Sequence, residues 1–483
     1  MHYKPTHESL STHTIPNWYH DAKVGIFVHW GLYSIPAYAK PGDKEINLLH
    51  MDFAEMPYSE WYYNKLRIKG SSTQKYHNDT YGEDFSYFDF QQQFEDKTNN
   101  FDAGKWAELF EKAGAKYVIL TSKHHDGYLL WPSEHKNKHM KAYHAKNDLV
   151  GEVCDKIRAK GLKMGLYYSG VYDWTYNTKP IKNYIASIEN LKQSKAYVEY
   201  ATQHFYELID RYKPSVLWND IGYPVGYDLN QLFAHYYNTV PEGVINDRWK
   251  QSKVSKFLTL PIVKSIANKV ITAMLKKISP EKLFEGEGDS DLHTDYATPE
   301  YVTFKDIRAK KFEATRGIGH SFAYNKMEDA SHMISGRELI HMLIDVVSKN
   351  GNLLINVGPK ADGTIPDMQQ KPLLEMGAWL QSFGEAIYGT RPWTRAEGET
   401  QDGKQVCFTQ KGNTLYAMVL GALDKESIIL KDLPLTEDAK VTLLGYTEEL
   451  EWHRIHDGVW VSLPEIKGPE YAYVLKLENG AKA

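Results

Sequence analysis

Residues 116–127, KYVILTSKHHDG, begin as an apolar, β-branched run and end in a polar cluster. Helical periodicity precedes the run at 103–113 and follows it at 148–159, so the segment reads as a buried strand in a βα unit. The same alternation continues in both directions. Strands are expected at 23–29, 163–168, 215–219, 243–247, 297–304 and 352–357, with helices at 191–212, 229–239 and 336–349. The last helix has a start signal, because Ser335 and Glu338 form a Ser-x-x-Glu capping box, and Gly351 can end it. Parallel strands with crossover helices over about 380 residues predict an α/β fold, a (β/α)8-like TIM barrel. No Gly-x-Gly-x-x-Gly follows the first strand, which argues against a dinucleotide fold.

Beyond a helical stretch at 367–388 the texture changes to short runs at 406–410, 415–420, 427–430, 440–444, 459–463 and 471–477, separated by turn signals such as Lys-Gly-Asn and Asp-Gly. This predicts a small C-terminal β-sandwich. The expected division is a barrel domain over 1–390, interrupted by an insertion at 250–294, and an all-β domain over 391–483. The insertion carries apolar residues at 262, 263, 266, 267, 270, 271, 274, 275 and 278, with Lys264, Lys269, Lys276 and Lys277 opposite. That is a cationic amphipathic helix, to be read as an extra helix on the barrel, a lid, a subunit contact or a membrane-surface element.

Composition excludes several classes. The 57 basic and 62 acidic side chains give a net charge of -5 with no polybasic stretch, so nucleic acid is not an expected partner. No apolar run is long enough to span a membrane. Two distant cysteines, Cys154 and Cys407, define neither a disulfide framework nor a zinc site. No signal peptide is visible in 1–25, so a cytoplasmic location is expected. Aromatics make up 13% of the chain, with 34 Tyr and 12 Trp, a composition suited to sugars but also to ordinary cores.

Nearly every expected strand runs into a polar or aromatic cluster at its C-terminal end, the face where barrel active sites assemble. These are His29-Trp30-Gly31, Lys123-His124-His125-Asp126, Tyr167-Tyr168-Ser169, Trp218-Asn219-Asp220, Asn246-Asp247-Arg248-Trp249 and the segment from Asp295 to Glu300. Any single cluster reads equally as a turn or a helix cap. Six in one register point to a site. His29, His124, His125 and Asp126 are metal ligands in principle, but their spacing matches no familiar motif. Imidazoles bonded to sugar hydroxyls account for the same residues, and no metal or cofactor is called for. Ser169 lacks a Gly-x-Ser-x-Gly frame.

The segments VGIFVHWGLYSIP (24–36), EWY (60–62), TSKHHDGY (121–128), LYYSG (166–170), LWND (217–220), NDRW (246–249) and GNLLINVGPKADGTIP (351–366) together resemble the α-L-fucosidases of glycoside hydrolase family 29. The resemblance implies an exo-acting, retaining glycosidase that releases terminal L-fucose from fucosylated oligosaccharides or glycoconjugates through a covalent fucosyl-enzyme. It implies Asp220 as nucleophile and Glu300 as general acid/base, with Glu60 and then Glu313 as competing carboxylates, because the insertion at 250–294 breaks the spacing that leads to Glu300. It further implies that His29, His124, His125, Tyr167, Trp218 and Arg248 line the sugar site, and that Trp61 and Phe322 form an apolar wall for the C6 methyl. Phe312 and Ala323 stand where Trp and Gly would be expected. Two other functions remain open, a catalytically silent fucose-binding protein and a hydrolase of a related sugar such as α-L-galactose. A homo-oligomer formed through the insertion is the expected assembly.

Overall fold

The computed structural model describes residues 2–42, 52–255, 261–275, 277, 292–302, 304–423, 425–466 and 471–479. Seven parallel strands form one sheet: β1 (Val24–Val28), β2 (Tyr117–Lys123), β3 (Lys163–Ser169), β4 (Val216–Asp220), β5 (Val244–Ile245), β6 (Phe312–Gly317) and β7 (Gly351–Val357). Their order is β5-β4-β3-β2-β1-β7-β6. Every residue of β1, β2, β4, β6 and β7 is buried, as strands covered on both faces must be. Between β5 and β6 the barrel is closed by an irregular segment, through single parallel bridges Asn246 to Tyr296, Ala297 to Phe312 and Glu300 to Thr315.

That closure corrects the reading of 297–304 as a strand. Pro299 has no N–H to give a ladder, and Tyr301 sits at φ 53, so pairing cannot run on. The regular sixth strand is instead Phe312–Gly317, whose polar Glu313 and Thr315 hid it from a search for apolar runs. The closing segment is pinned at its start, where Asp295 Oδ2 accepts from the Ile245 N–H at 2.7 Å and from Tyr237 Oη at 2.8 Å.

Caps fix several helices. Ser335 accepts from the Glu338 N–H at 3.2 Å while Glu338 accepts from the Ser335 N–H at 2.9 Å, the reciprocal box read from the sequence. Helix Gly336–Ser348 ends before Gly351, however, with Asn350 taking the left-handed position at φ 79. The stretch expected as one helix over 191–212 starts later, at Lys195–Tyr212 under a Ser194 cap, behind a separate helix Tyr184–Asn190. The insertion forms helix Pro261–Leu275, which packs on Tyr184–Asn190 and is tied to it by Lys264 Nζ and Glu189 Oε1 at 2.5 Å. Residues 276 and 278 of the expected helix lie outside the described residues. No described helix is long and apolar enough to cross a membrane.

The C-terminal strands are β8 (Arg391–Glu399), β9 (Gln405–Lys411), β10 (Thr414–Leu420), β11 (Ser427–Lys431), β12 (Lys440–Leu443), β13 (Trp452–Ile455), β14 (Gly458–Ser462) and β15 (Ala472–Glu478). They pair antiparallel as β12-β15-β10-β9-β8 and β11-β14-β13. Phe408, Leu415, Leu430, Val459 and Leu475 fill the space between the two sheets. The outer face of the larger sheet packs on the barrel helices through Cys407, Tyr416, Met418 and Val474. Trp379 Nε1 donates to Ala472 O across that junction at 2.9 Å. Both cysteines are free and buried.

Candidate active site

The inward side chains of the sheet are aromatic. Phe27, Tyr117, Tyr167 and Trp218 stack inside the barrel and form the floor on which the C-terminal ends of the strands present their polar groups. Asp220 is the last residue of β4. Its Oδ1 accepts from Arg248 Nη1 at 2.9 Å and from the Ile221 N–H at 2.9 Å, while Oδ2 accepts from Tyr167 Oη at 2.8 Å. Arg248 reaches a second carboxylate on its other nitrogen, with Nη2 to Glu300 Oε2 at 3.1 Å. Thr298 fixes the guanidinium by accepting from Nε at 2.9 Å and, through its carbonyl, from Nη2 at 3.1 Å. Asp247 in turn holds Thr298, accepting from its hydroxyl at 2.6 Å. Trp218 lies 4.8 Å beneath the guanidinium.

Both carboxylates are followed by a residue in an unusual backbone conformation. Ile221 follows Asp220 at φ 63 and Tyr301 follows Glu300 at φ 53, both in the left-handed region. A β-branched residue there is costly, on the order of 1–3 kcal/mol, and such strain gathers where a site needs it. Here it turns the chain back so that the Ile221 N–H meets the carboxylate of its own neighbour.

Burial sets the charges. It pushes the Glu300 carboxyl above its ordinary range; Arg248 works against that, and the negative charge of Asp220 adds to it. Burial opposes the Arg248 charge, but Glu300 and then Asp220 outweigh it and hold the guanidinium protonated. His29 is pushed down to about 4 by burial, and His124 and His125 well below their usual value for the same reason, so all three are neutral at pH 7.

The neighbours of two of these rings fix their tautomers. Asn356 Nδ2 donates to Phe322 O at 2.5 Å, so its Oδ1 accepts from His29 Nδ1 at 2.6 Å. Ser169 Oγ donates to Tyr172 O at 2.8 Å and therefore accepts from His125 Nδ1 at 2.6 Å. Nε2 of each ring is then an acceptor. His125 Nε2 lies 3.9 Å from Asp220 Oδ2, two acceptors facing one another, an arrangement that a ligand hydroxyl can satisfy. His124 packs against His29, His125 and Tyr167.

Trp61 and Phe322 share one apolar cluster with Tyr58, Tyr172 and Trp174. Trp61 stands edge-on to His125 at 5.4 Å, and Phe322 lies 5.1 Å from His29, so the cluster forms a wall beside the histidines. Glu60 sits behind that wall, accepting from Ser321 Oγ at 3.1 Å and the Ala323 N–H at 3.0 Å, with burial raising it to about 7. Glu313 lies beneath the floor and takes bonds from Tyr19, Tyr117 and Trp218 at 2.9, 2.6 and 2.9 Å. Neither is bonded to the guanidinium that holds Asp220 and Glu300. Asp126 turns away to Tyr87 Oη and the Tyr128 N–H, so His29, His124, His125 and Asp126 do not converge on one point.

Sequence reasoning missed Asn356, Ser169, Thr298 and Asp247 as working parts of the site. Three of them lie inside the polar strand-end clusters already singled out, and Asn356 lies within the 351–366 segment and obeys the same strand-end rule at β7. A neutral amide inside an apolar run gave no chemical signal of its own.

Comparison with known proteins followed the same outline. The Alpha-L-fucosidase family model matches residues 1–385 and the Alpha-L-fucosidase C-terminal domain model matches 400–478. An alpha-L-fucosidase of Dictyostelium discoideum is 32% identical, with 99% of this chain and 95% of that protein covered. Human tissue alpha-L-fucosidase is 31% identical over 98% of this chain and 91% of its own length. The structure of Thermotoga maritima alpha-fucosidase with a mechanism-based inhibitor superposes with a TM-score of 0.83 at 40% identity, covering 99% of this chain and 100% of that one. The same enzyme with fucose gives 0.82 at 39% identity, with coverage of 98% and 100%.

Proposed function

The chain belongs to the α-L-fucosidase family, and on that premise we propose that Asp220 is its nucleophile and Glu300 its general acid/base. The enzyme is an exo-acting, retaining glycoside hydrolase that releases terminal L-fucose from fucosylated glycans. The observation that carries the residue roles is the single guanidinium of Arg248, which holds both carboxylates at once.

Oδ1 of Asp220 is saturated by two donors, so Oδ2, with one, is the atom that attacks the anomeric carbon. Protonated Glu300 gives its proton to the departing glycosidic oxygen as the C–O bond breaks, and an ester to Asp220 forms. Esterification removes the negative charge of Asp220, which had helped keep Glu300 protonated. Arg248, no longer paired with the Asp220 charge, then lowers the affinity of Glu300 for a proton. The carboxylate of Glu300 takes a proton from water, the water oxygen attacks the anomeric carbon from the face opposite Asp220, the C–O bond to Oδ2 breaks to restore the Asp220 carboxylate, and fucose leaves with its configuration retained.

His29 and His125 accept bonds from sugar hydroxyls at Nε2, and Trp61 and Phe322 receive the C6 methyl. An apolar wall gains from a methyl and leaves a hydroxyl unpaired, but it discriminates only moderately, by about 10- to 100-fold. Comparing kcat/KM on aryl α-L-fucoside and aryl α-L-galactoside tests this assignment. A preference of that size for fucoside supports it, and equal rates would remove the wall from the account.

We further propose that helix Pro261–Leu275 is a contact between copies of the chain. Ile266, Val270 and Met274 form a stripe at helical spacing, and each is at least 48% exposed. Analytical ultracentrifugation of wild type and the double variant I266E/M274E checks it: a wild-type oligomer that the double variant breaks supports the contact, and a wild-type monomer ends it.

A further inference from the structure

Imidazole and carboxylate converge at a second cluster, which shares no residue with the sugar site. His13, in the stretch between helices His7–Leu10 and Asn17–Ala22, and His293, at the end of the insertion, both turn a ring nitrogen onto one oxygen of Asp295. His13 Nδ1 lies 2.9 Å and His293 Nε2 3.2 Å from Asp295 Oδ1, and the three atoms are all within 4.8 Å of one another. Among the described residues no other three histidine, cysteine, aspartate or glutamate side chains meet this closely.

The three atoms are held from behind. Asp295 Oδ2 is taken by the Ile245 N–H at 2.7 Å and by Tyr237 Oη at 2.8 Å, which aims Oδ1 at the two rings. The His13 ring lies against Tyr237, with centroids 3.9 Å apart and planes 20° from parallel. Partners of this kind are what orient the ligands of a metal site. His13 and Asp295 are buried and His293 is half-buried, so one side of the cluster meets water.

We infer that His13 Nδ1, His293 Nε2 and Asp295 Oδ1 bind one zinc(II) ion, with water in the fourth position. Two imidazoles and a carboxylate with one open place are a ligand set that zinc takes. Calcium and magnesium call for about six oxygens, and this cluster offers a single carboxylate oxygen. Zinc bonds of about 2.0–2.2 Å at tetrahedral angles set ligand atoms about 3.3–3.6 Å apart, so the rings draw back from Oδ1 by only about half an ångström. The ion takes the place of the protons that join the rings to that oxygen. It clips the N-terminal stretch to the segment that closes the barrel and runs on to Glu300, across 282 residues of chain, and closure of so long a loop is where a metal clip adds most stability.

Isothermal titration of zinc into the full chain, first stripped with EDTA, should show one tight site. Tm should rise by about 2 °C or more with zinc at about 100 times its Kd, since a ligand of the folded state stabilises it by mass action. Crystals soaked in zinc should show an anomalous peak at the zinc edge within bonding distance of all three atoms. His293→Gln keeps an N–H donor for Asp295 Oδ1 but removes the metal-binding nitrogen, so it should fold, hydrolyse an aryl fucoside and lose the tight site; His13→Asn serves if that variant does not fold. A cluster held by hydrogen bonds alone gives no tight site and no rise in Tm. Either result, a peak at other histidines only, or zinc binding that persists unchanged in the variant as an adventitious ion only, overturns the inference.

Discussion

Asn356 makes the most demanding test of how the site is organised, because it touches no reacting atom. Its side chain joins His29 Nδ1, at 2.6 Å, to the carbonyl of Phe322, at 2.5 Å, and so couples a sugar-facing imidazole to the apolar wall. Asn356→Ala removes two buried hydrogen bonds worth about 1 kcal/mol each and leaves two polar groups unsatisfied, for a loss of stability of about 2–4 kcal/mol in all. It also frees the His29 ring to turn and to exchange tautomers, so Nε2 is no longer held as an acceptor. Loss of a partner that orients a metal-bound histidine typically costs about 10- to 100-fold in function, and the same range is expected for this sugar-facing ring. The expected result is that fall in kcat/KM for an aryl α-L-fucoside, with a folded protein of lower Tm. Asn356→Asp adds a direction. A carboxylate beside Nδ1 favours the imidazolium, so the His29 pKa rises from about 4. His29 is competent when neutral, so activity lost on acidification should disappear at higher pH in this variant than in wild type. An Asn356→Ala enzyme within about twofold of wild type, well inside the expected range, would refute the positioning role, as would an acid limb that Asn356→Asp leaves unmoved.

Two further substitutions separate the competing carboxylates. Glu300→Gln should lower kcat by about 100-fold or more on glycosides with poor leaving groups and far less on activated aryl fucosides, which depart without a proton. The pKa of Glu300 is raised and the acid form is the one needed at the first step, so wild-type activity is lost as pH rises through that pKa. Glu300→Gln should therefore lose this alkaline limb in a pH series. Glu60→Gln keeps an acceptor for Ser321 Oγ and the Ala323 N–H and should leave the leaving-group dependence unchanged; acquisition of the Glu300→Gln pattern would transfer the role to Glu60.

The barrel was legible wherever a run of buried aliphatic residues ended in groups with chemistry of their own, as at His29, His124, Tyr167 and Asp220. It was not legible where polar residues point inward. Glu313 and Thr315 on β6 are buried because Tyr19, Tyr117, Trp218 and the barrel wall surround them, which is a tertiary fact with no local trace. The composition of 297–304 fits a regular strand, whereas Pro299 and the left-handed Tyr301 reduce the closing segment to isolated bridges. In the C-terminal sheets, β13 escaped notice because Trp452–Ile455 buries none of its residues, and β8 because Pro392 and its charged residues break the alternation. The joint hold of Arg248 on Asp220 and Glu300 spans the insertion, and only the folded chain brings those ends together.

The central claim is that Asp220 forms the covalent bond to fucose. Asp220→Gly should hydrolyse an aryl α-L-fucoside at least about 1,000-fold more slowly than wild type, a loss in the range seen when a group acting directly in the reaction is removed. Added sodium azide should restore release of the aryl group, because the small anion enters the space left by the carboxylate. Proton NMR of the product should show β-L-fucosyl azide, formed by a single inversion. Azide that fails to restore turnover in a folded Asp220→Gly protein, or a rescued product of α configuration, would contradict the account.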